Sequence, residues 1–476
     1  MQIPRILIAA PASGSGKTAV SCALMYALRE QGLSVHACKC GPDYIDPMFH
    51  REVLELDSRN LDLFFSGPEE LREEFIRHAS GADITVTEGV MGYYDGRSID
   101  SDAGSSYDVA RTLNMPVILV ISSRGAALSL AAIVKGIAAF RKDSNICGLL
   151  LNRVSKMLYP RLKEMLSQEL EKCGCSIPIA GYIPEDEAFH LESRHLGLVT
   201  PQERKGLNDQ IRQAGRILSE TVELDIIREI ARSAPELNAT AESEKEEVDC
   251  SGKKKYSKNP VRIGIAQDEA FCFYYKANLE LLESMGCELV PFSPIKDEKL
   301  PGNIGGLILG GGYPELYAGR LSANRSLTEE IGERLKEKMP CYAECGGFMY
   351  LHETMEDEKG NVYPMVGEVK GSAYPAGRLV RFGYVNIKAA TEQNGYLRPG
   401  EMIRGHEFHY WDSTDSGRNC VAEKPDGRRR WECVHMTKDL FAGYPHLYLP
   451  SMPEFARRFV SRCRTWKQGA EESKNV

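Results

Sequence analysis

Over the first 190 residues, short apolar runs alternate with stretches whose apolar positions follow a helical period. Ile6–Ala10, Ser34–Lys39, Asp83–Glu88, Val117–Ser122, Gly148–Asn152 and Pro178–Ile183 are the runs, most of them bounded by Gly, Pro or Asn. Runs this short, without polar alternation, predict strands covered on both faces. Between them Thr18–Gln31 and Ala126–Phe140 carry helical spacing. Strand and helix in alternation predict a doubly wound α/β domain around a parallel sheet. Residues 207–233 read as one long, charged amphipathic helix that closes this domain.

The pattern then breaks. Residues 235–259 are dominated by Glu, Lys, Ser and Asn and offer almost nothing to bury, which predicts a mobile linker. Val261–Ala266 opens a second α/β domain that continues through Glu288–Pro291, Gly306–Leu309 and Pro340–Ala343. Tyr384–Ile387, the His-rich stretch 405–411 and the segment around His446 follow. The predicted divisions are residues 1–234, a linker 235–259 and a domain 260–466, with the last dozen polar residues frayed. The chain contains no internal repeat.

Composition narrows the class of protein. Of 476 residues, 42% are hydrophobic and 26% charged, as in ordinary globular domains. A net charge of −8 argues against nucleic acid as a partner. No segment approaches the roughly 20 apolar residues of a membrane span. The 14 Cys include C-x-C pairs, Cys38 with Cys40 and Cys173 with Cys175, rather than the C-x-x-C pairs of structural zinc sites. The chain is expected in a reducing cytoplasm, without disulfides. The chain is expected to act as a monomer or homodimer.

Two sets of residues carry chemistry. The first follows the opening strand: Pro11-Ala-Ser-Gly-Ser-Gly-Lys-Thr, a phosphate loop in which Pro11 replaces the usual first glycine. Gly14, Ser15, Gly16, Lys17 and Thr18 are its candidate nucleotide-binding residues. Backbone amides cradle phosphates, Lys17 meets the outer ones, and the Thr18 hydroxyl meets Mg²⁺. Asp43 and Asp46, in Gly-Pro-Asp-Tyr-Ile-Asp-Pro, end the second predicted strand. Ligands gather at such strand ends, so the pair is a candidate for orienting a substrate carboxylate, with Asp46 also near the metal. Glu88 ends the third predicted strand and can reach Mg²⁺ as a Walker B carboxylate does. Asn152, at the end of the fifth, is a candidate reader of the nucleotide base.

The second set is in the C-terminal half. Pro340-Cys-Tyr-Ala-Glu-Cys-Gly-Gly is an apolar strand running into a thiol and two glycines. Such a turn presents Cys345 at a helix N-terminus, which favours the thiolate. Leu309-Gly-Gly-Gly-Tyr-Pro-Glu exposes backbone amides, so Gly311, Gly312 and Gly346 are candidates for an oxyanion hole. His446 is the candidate base, with His406 and His409 as competitors from the segment 405–411. Cys341, earlier in the same strand, is expected to be buried. A nucleotide site and a thiol amidase on one chain point to an ATP-driven amidotransferase.

These residues resemble the cobyrinic acid a,c-diamide synthase family. The resemblance rests on stretches 10–18, 41–47, 88–96, 309–315, 343–351 and 405–410, which span nearly the whole chain in the family's order. It implies an N-terminal dethiobiotin-synthetase-like ATPase domain and a C-terminal class I, triad-type glutamine amidotransferase domain. It implies ATP and Mg²⁺, L-glutamine as nitrogen donor, and a corrin whose a- and c-carboxylates are amidated through acyl phosphates. It makes Cys345 the nucleophile and His446 its partner. Class I glutaminases place a Glu two residues after the His. Here that position is Tyr448, which leaves open what orients His446. Two sister substrates, hydrogenobyrinic acid and nickel sirohydrochlorin, fit the same motifs. A non-enzymatic nucleotide switch is the rival of another class.

Overall fold

The computed structural model describes residues 1–172, 174–191, 193–194, 197–198, 206–238, 260–390 and 395–474. The chain divides into two compact units, residues 1–248 and 249–476.

The N-terminal unit is built on a seven-stranded sheet. Its strands are β1 (Arg5–Ala9), β2 (Val35–Cys40), β3 (Ser58–Leu61), β4 (Ile84–Glu88), β5 (Val117–Ser122), β6 (Ile146–Asn152) and β7 (Ile179–Ile183). The order across the sheet is β3-β2-β4-β1-β5-β6-β7. Every pairing is parallel. The connection from β1 to β2 and that from β4 to β5 diverge toward opposite sides of the sheet at the adjacent strands β1 and β4, where the glycine loop starts. Such a divergence is where open α/β sheets bind ligands.

Six of these strands are the predicted apolar runs. The seventh, β3, has the polar sequence Ser-Arg-Asn-Leu and gives no apolar signal. It lies at the sheet edge, where only one neighbour must be satisfied. The predicted helix 207–233 is two helices, Leu207–Thr221 and Leu224–Arg232. They separate because the chain between them joins the sheet: Val222 bridges Gly181, and the Glu223 N–H donates to the Ala180 carbonyl at 2.7 Å.

The start of the predicted linker is also folded. Leu237 is buried, and its N–H and carbonyl bond the Met1 carbonyl and amino terminus. The buried Arg5 guanidinium donates to four carbonyls, those of Ile3, Leu113, Asn114 and Pro235. That arrangement satisfies a cation taken out of water and ties residue 235 to the first strand. Residues 239–259, the rest of the predicted linker, lie outside the described residues.

The C-terminal unit contains a six-stranded sheet in the order Cys287–Phe292, Val261–Ala266, Gly306–Leu309, Cys341–Glu344, Leu440–Gly443, His435–Met436. All but the last pairing are parallel. A five-stranded antiparallel sheet follows: Arg430–Cys433, Cys420–Glu423, Arg381–Ala389, Met402–His409 and His446–Leu447. Its last pairing brings His446 opposite His406. A four-stranded sheet completes the unit. The closing helix, Pro453–Lys474, runs through the tail that was predicted to fray. Phe455, Phe459 and Cys463 on that helix are buried, and the Trp466 indole donates to the Glu337 carbonyl.

Candidate functional site

In the N-terminal unit the loop after β1 takes its shape from two glycines. Gly14 has φ 72° and Gly16 has φ 87°, a region that favours glycine. Gly16 also has no room for a side chain, since a Cβ there would sit 2.8 Å from Asn152 Nδ2. The Asn152 amide donates to the Ser15 carbonyl at 2.8 Å, and its oxygen accepts the Arg153 N–H. Asn152 is therefore a brace for the loop. One amide N–H and the amide oxygen are used in these bonds. Ser15 Oγ donates to the Ala12 carbonyl. Lys17 Nζ donates to the carbonyls of Ala12 (3.2 Å) and Met91 (2.5 Å), across the mouth of the loop.

Behind the loop lies a buried polar cluster. Thr18 Oγ1 donates to Glu88 Oε1 at 2.6 Å and is 3.5 Å from Asp46 Oδ1. Lys39 Nζ sits between the two acids, 2.5 Å from Asp46 and 2.9 Å from Glu88. His50 Nε2 lies 3.4 Å from the other Glu88 oxygen. Burial opposes charge on Lys39, Asp46 and Glu88, but the two carboxylates hold the Lys39 ammonium well above its ordinary range. Burial would raise Glu88, yet Lys39, His50 and Thr18 together hold it ionised. Asp46, desolvated and beside Glu88, is pushed up. Lys17 is pushed down to about 8, first by burial and then by Lys39.

Lys39 and His50 were absent from the sequence reading of the site. Lys39 was legible as the one cation in the otherwise uncharged strand Val-His-Ala-Cys-Lys-Cys. Nothing local marks His50. Asp43 does not enter the cluster; its carboxylate accepts the N–H groups of Ile45 and Asp46 and shapes the turn.

In the C-terminal unit, Cys345 stands between the strand Cys341–Glu344 and the short helix Gly346–Tyr350. Its φ of 44° is strained for a residue with a side chain, the geometry of a nucleophile on a sharp strand-to-helix turn. Packing leaves this turn no alternative. A Cβ on Gly347 would sit 2.0 Å from the Leu309 carbonyl oxygen, and one on Gly346 would sit 2.8 Å from Pro314 Cδ. The Cys345 N–H is held by the Gly443 carbonyl at 2.9 Å. Cys341, as expected, is buried.

The His446 imidazole faces the Cys345 side chain. Burial by itself would hold His446 neutral; the Cys345 sulfur and the Glu344 carboxylate outweigh it and push the imidazole up to about 10. The Gly311 α-carbon forms the floor under the ring, since a Cβ there would lie 2.3 Å from His446 Cε1. The Gly312 nitrogen approaches Gly346, 3.2 Å from where a Cβ on Gly346 would stand. Gly346 N–H is the first of its helix and has no intrahelical acceptor. The Gly311 carbonyl accepts from the N–H groups of Cys272 and Phe273.

The two competing histidines have other tasks. His409 stacks on Tyr444 at 3.9 Å and bonds the Trp411 carbonyl through Nδ1. His406, buried on the strand opposite His446, is held neutral with its pKa near 3, by burial first and then by His446.

Sheet order, phosphate loop and elbow cysteine define a class, a nucleotide-binding α/β unit joined to a glutamine amidotransferase unit. Comparison with known proteins gives the same pair. Residues 6–199 match the CobQ/CobB/MinD/ParA nucleotide binding domain, and residues 262–453 match the CobB/CobQ-like glutamine amidotransferase domain. Similarity also runs along nearly the full chain. The cobyrinate a,c-diamide synthase of Caldanaerobacter subterraneus is 39% identical over 464 residues, 97% of this chain and 98% of that protein. The proteins of the same name from Picrophilus torridus and Clostridium acetobutylicum are 39% and 37% identical, covering 97% and 96% of this chain and 99% of each relative. The chain belongs to the cobyrinate a,c-diamide synthase family.

Proposed function

We propose that this protein uses ATP and glutamine to convert the a- and c-carboxylates of cobyrinic acid to amides, in the cytoplasm. The observation that carries the reading is Cys345 on a strained elbow beside the buried His446–Glu344 pair, on the same chain as the Lys17–Thr18 loop. Family membership supplies the substrate.

In the glutaminase half, the Cys345 thiolate attacks the side-chain amide of glutamine and the His446 imidazolium gives its proton to the departing ammonia. Water then cleaves the thioester and releases glutamate. The N–H groups of Gly346 and Gly312 support the oxyanion, a service worth about 10²–10³ in rate per donor. The Gly311 N–H is a further candidate donor, and its lack of a side chain leaves room for the His446 ring.

In the synthetase half, a substrate carboxylate oxygen takes the γ-phosphoryl group of ATP, releasing ADP. Ammonia displaces phosphate from the acyl phosphate and leaves the amide. The loop amides and Lys17 hold the phosphates, with Lys39 supplying further positive charge. Lys17 gives up carbonyl acceptors for phosphate oxygens. Asp43 and Asp46 orient the substrate carboxylate at this strand end, Asp43 also shaping the turn and Asp46 also fixing Lys39.

The hard oxygens of Thr18, Glu88 and Asp46 suit Mg²⁺, and the Glu88 oxygen facing His50 makes no hydrogen bond. Among the described residues no group of three His, Cys, Asp or Glu forms a metal cage. The fit is that of an ion held by one or two protein oxygens together with phosphate and water. Thr18, Glu88 and Asp46 would hold it, directly or through water, and there it would neutralise charge on the phosphates.

The test follows products by mass, with cobyrinic acid, its metal-free analogue and nickel sirohydrochlorin as acceptors and glutamine or ammonium as donor. Diamide from cobyrinic acid with both donors is expected. Cys345→Ala should lose the glutamine-dependent reaction and keep the ammonium-dependent one. Absence of glutamate release by the wild type refutes the amidotransferase reading, and diamide from only another acceptor refutes the choice of corrin.

A further inference from the structure

The position two residues after His446 is Tyr448, whose ring packs edge-on against Tyr275 at 5.9 Å. A phenol there supplies no negative charge at neutral pH. A buried imidazole that must carry a proton still needs a carboxylate to set its tautomer and steady its charge. The structure offers one from an unexpected place in the chain. Glu344, the residue before the nucleophile, has Oε2 3.5 Å from His446 Nδ1, with side chains only 7% and 4% exposed. Its other oxygen accepts the Leu447 N–H at 2.7 Å, which anchors the carboxylate to the strand carrying His446.

Neighbouring residues on a strand point to opposite faces. Glu344 and Cys345 nevertheless both reach the one imidazole, and the left-handed φ at Cys345 is the departure from strand geometry between them. The carboxylate lies on Nδ1, so the thiol is served from Nε2.

We infer that Glu344 is the positioning residue for His446, filling from the residue before the nucleophile the role that class I glutaminases give to a Glu two residues after the histidine. This rests on the amidotransferase reading above. Glu344 acts only through His446: it fixes Nδ1–H, leaves Nε2 aimed at the thiol, and stabilises the imidazolium paired with the thiolate. The other groups facing the ring are Cys345 from the elbow, His406 from the paired strand, held neutral, and the Gly311 α-carbon.

Glu344→Gln keeps size and an acceptor for the Leu447 N–H while removing the charge. It should lower glutaminase kcat by about 10² or more, with KM for glutamine within a factor of about three. Alkylation of Cys345 by iodoacetamide reads the thiolate directly. With the carboxylate gone, imidazolium is less favoured, the thiolate forms at higher pH, and the midpoint of alkylation should move up by about one unit or more. Glu344→Asp restores charge on a shorter stem and should recover part of that pH shift. A packing role predicts the reverse order, because Gln is the closer isostere. The inference falls if Glu344→Gln keeps the wild-type kcat and alkylation profile, if Gln outperforms Asp in both assays, or if both variants lose the wild type's cooperative thermal transition. Wild-type protein that releases no glutamate from glutamine would instead refute the amidotransferase reading.

Discussion

Gly311→Ala is the smallest change that should separate the two half-reactions. The added methyl would stand 2.3 Å from His446 Cε1. Carbon atoms in contact prefer about 3.5–4.0 Å, so methyl and ring must part by more than about 1 Å. The loop is poorly placed to yield. Gly310 accepts the Gly347 N–H at 2.9 Å and donates to Tyr274 Oη at 2.9 Å, and the Gly311 carbonyl is held by the N–H groups of Cys272 and Phe273. The imidazole is the softer element and should tilt away from Cys345 and Glu344. A misplacement of about 1 Å costs a reacting pair about 10²-fold. Overpacking adds a stability loss of about 1–3 kcal/mol. Glutamate release should therefore fall by about 10² or more while diamide formed from ammonium salt, at saturating ATP, stays near the wild-type rate. Glutaminase within threefold of wild type would mean that the loop relaxes and that the contact with His446 does not position the ring. Equal loss with both nitrogen donors would mean that the damage is not local to the thiol site.

Lys17→Ala should abolish diamide formation with either donor while leaving a basal glutaminase; near-normal turnover with ammonium salt would remove the loop from the mechanism. Lys39→Met leaves two buried carboxylates without their shared cation, a loss of about 3–5 kcal/mol visible as a lowered thermal or denaturant midpoint; an unchanged midpoint would show that the acids take up protons at no cost. His446 is raised from an ordinary value of 6.5 to about 10, so its contribution to stability is complete below about pH 6.5 and is lost as pH rises through about 10. The gap in denaturant midpoint between wild type and His446→Asn should accordingly be wider at pH 6 than at pH 10.5, and a constant gap would contradict the raised value.

Local features of the chain were enough for much of this. Strands β1, β2, β4, β5, β6 and β7 are short apolar runs because both of their faces are covered, and coverage leaves its mark on each residue in turn. The glycines at 14, 16, 346 and 347 mark turns where backbone needs positive φ or close approach, a requirement that also shows locally. The thiol at 345 and the Lys-Thr pair at 17–18 were legible for the same reason. Partnership was not. Glu344 and His446 meet across 102 positions, and only the pairing of separate strands brings carboxylate and ring together. Lys39 read as a strand residue until the fold set it between Asp46 and Glu88. Nothing near Asn152 in the chain announced the bond from its amide to the Ser15 carbonyl. β3 was silent because an edge strand of Ser, Arg, Asn and Leu is stabilised by its neighbour rather than by its own burial pattern. Periodicity and turn chemistry are properties of neighbours in the chain, whereas hydrogen bonds and charge pairs belong to neighbours in space, and those the tertiary structure alone decides.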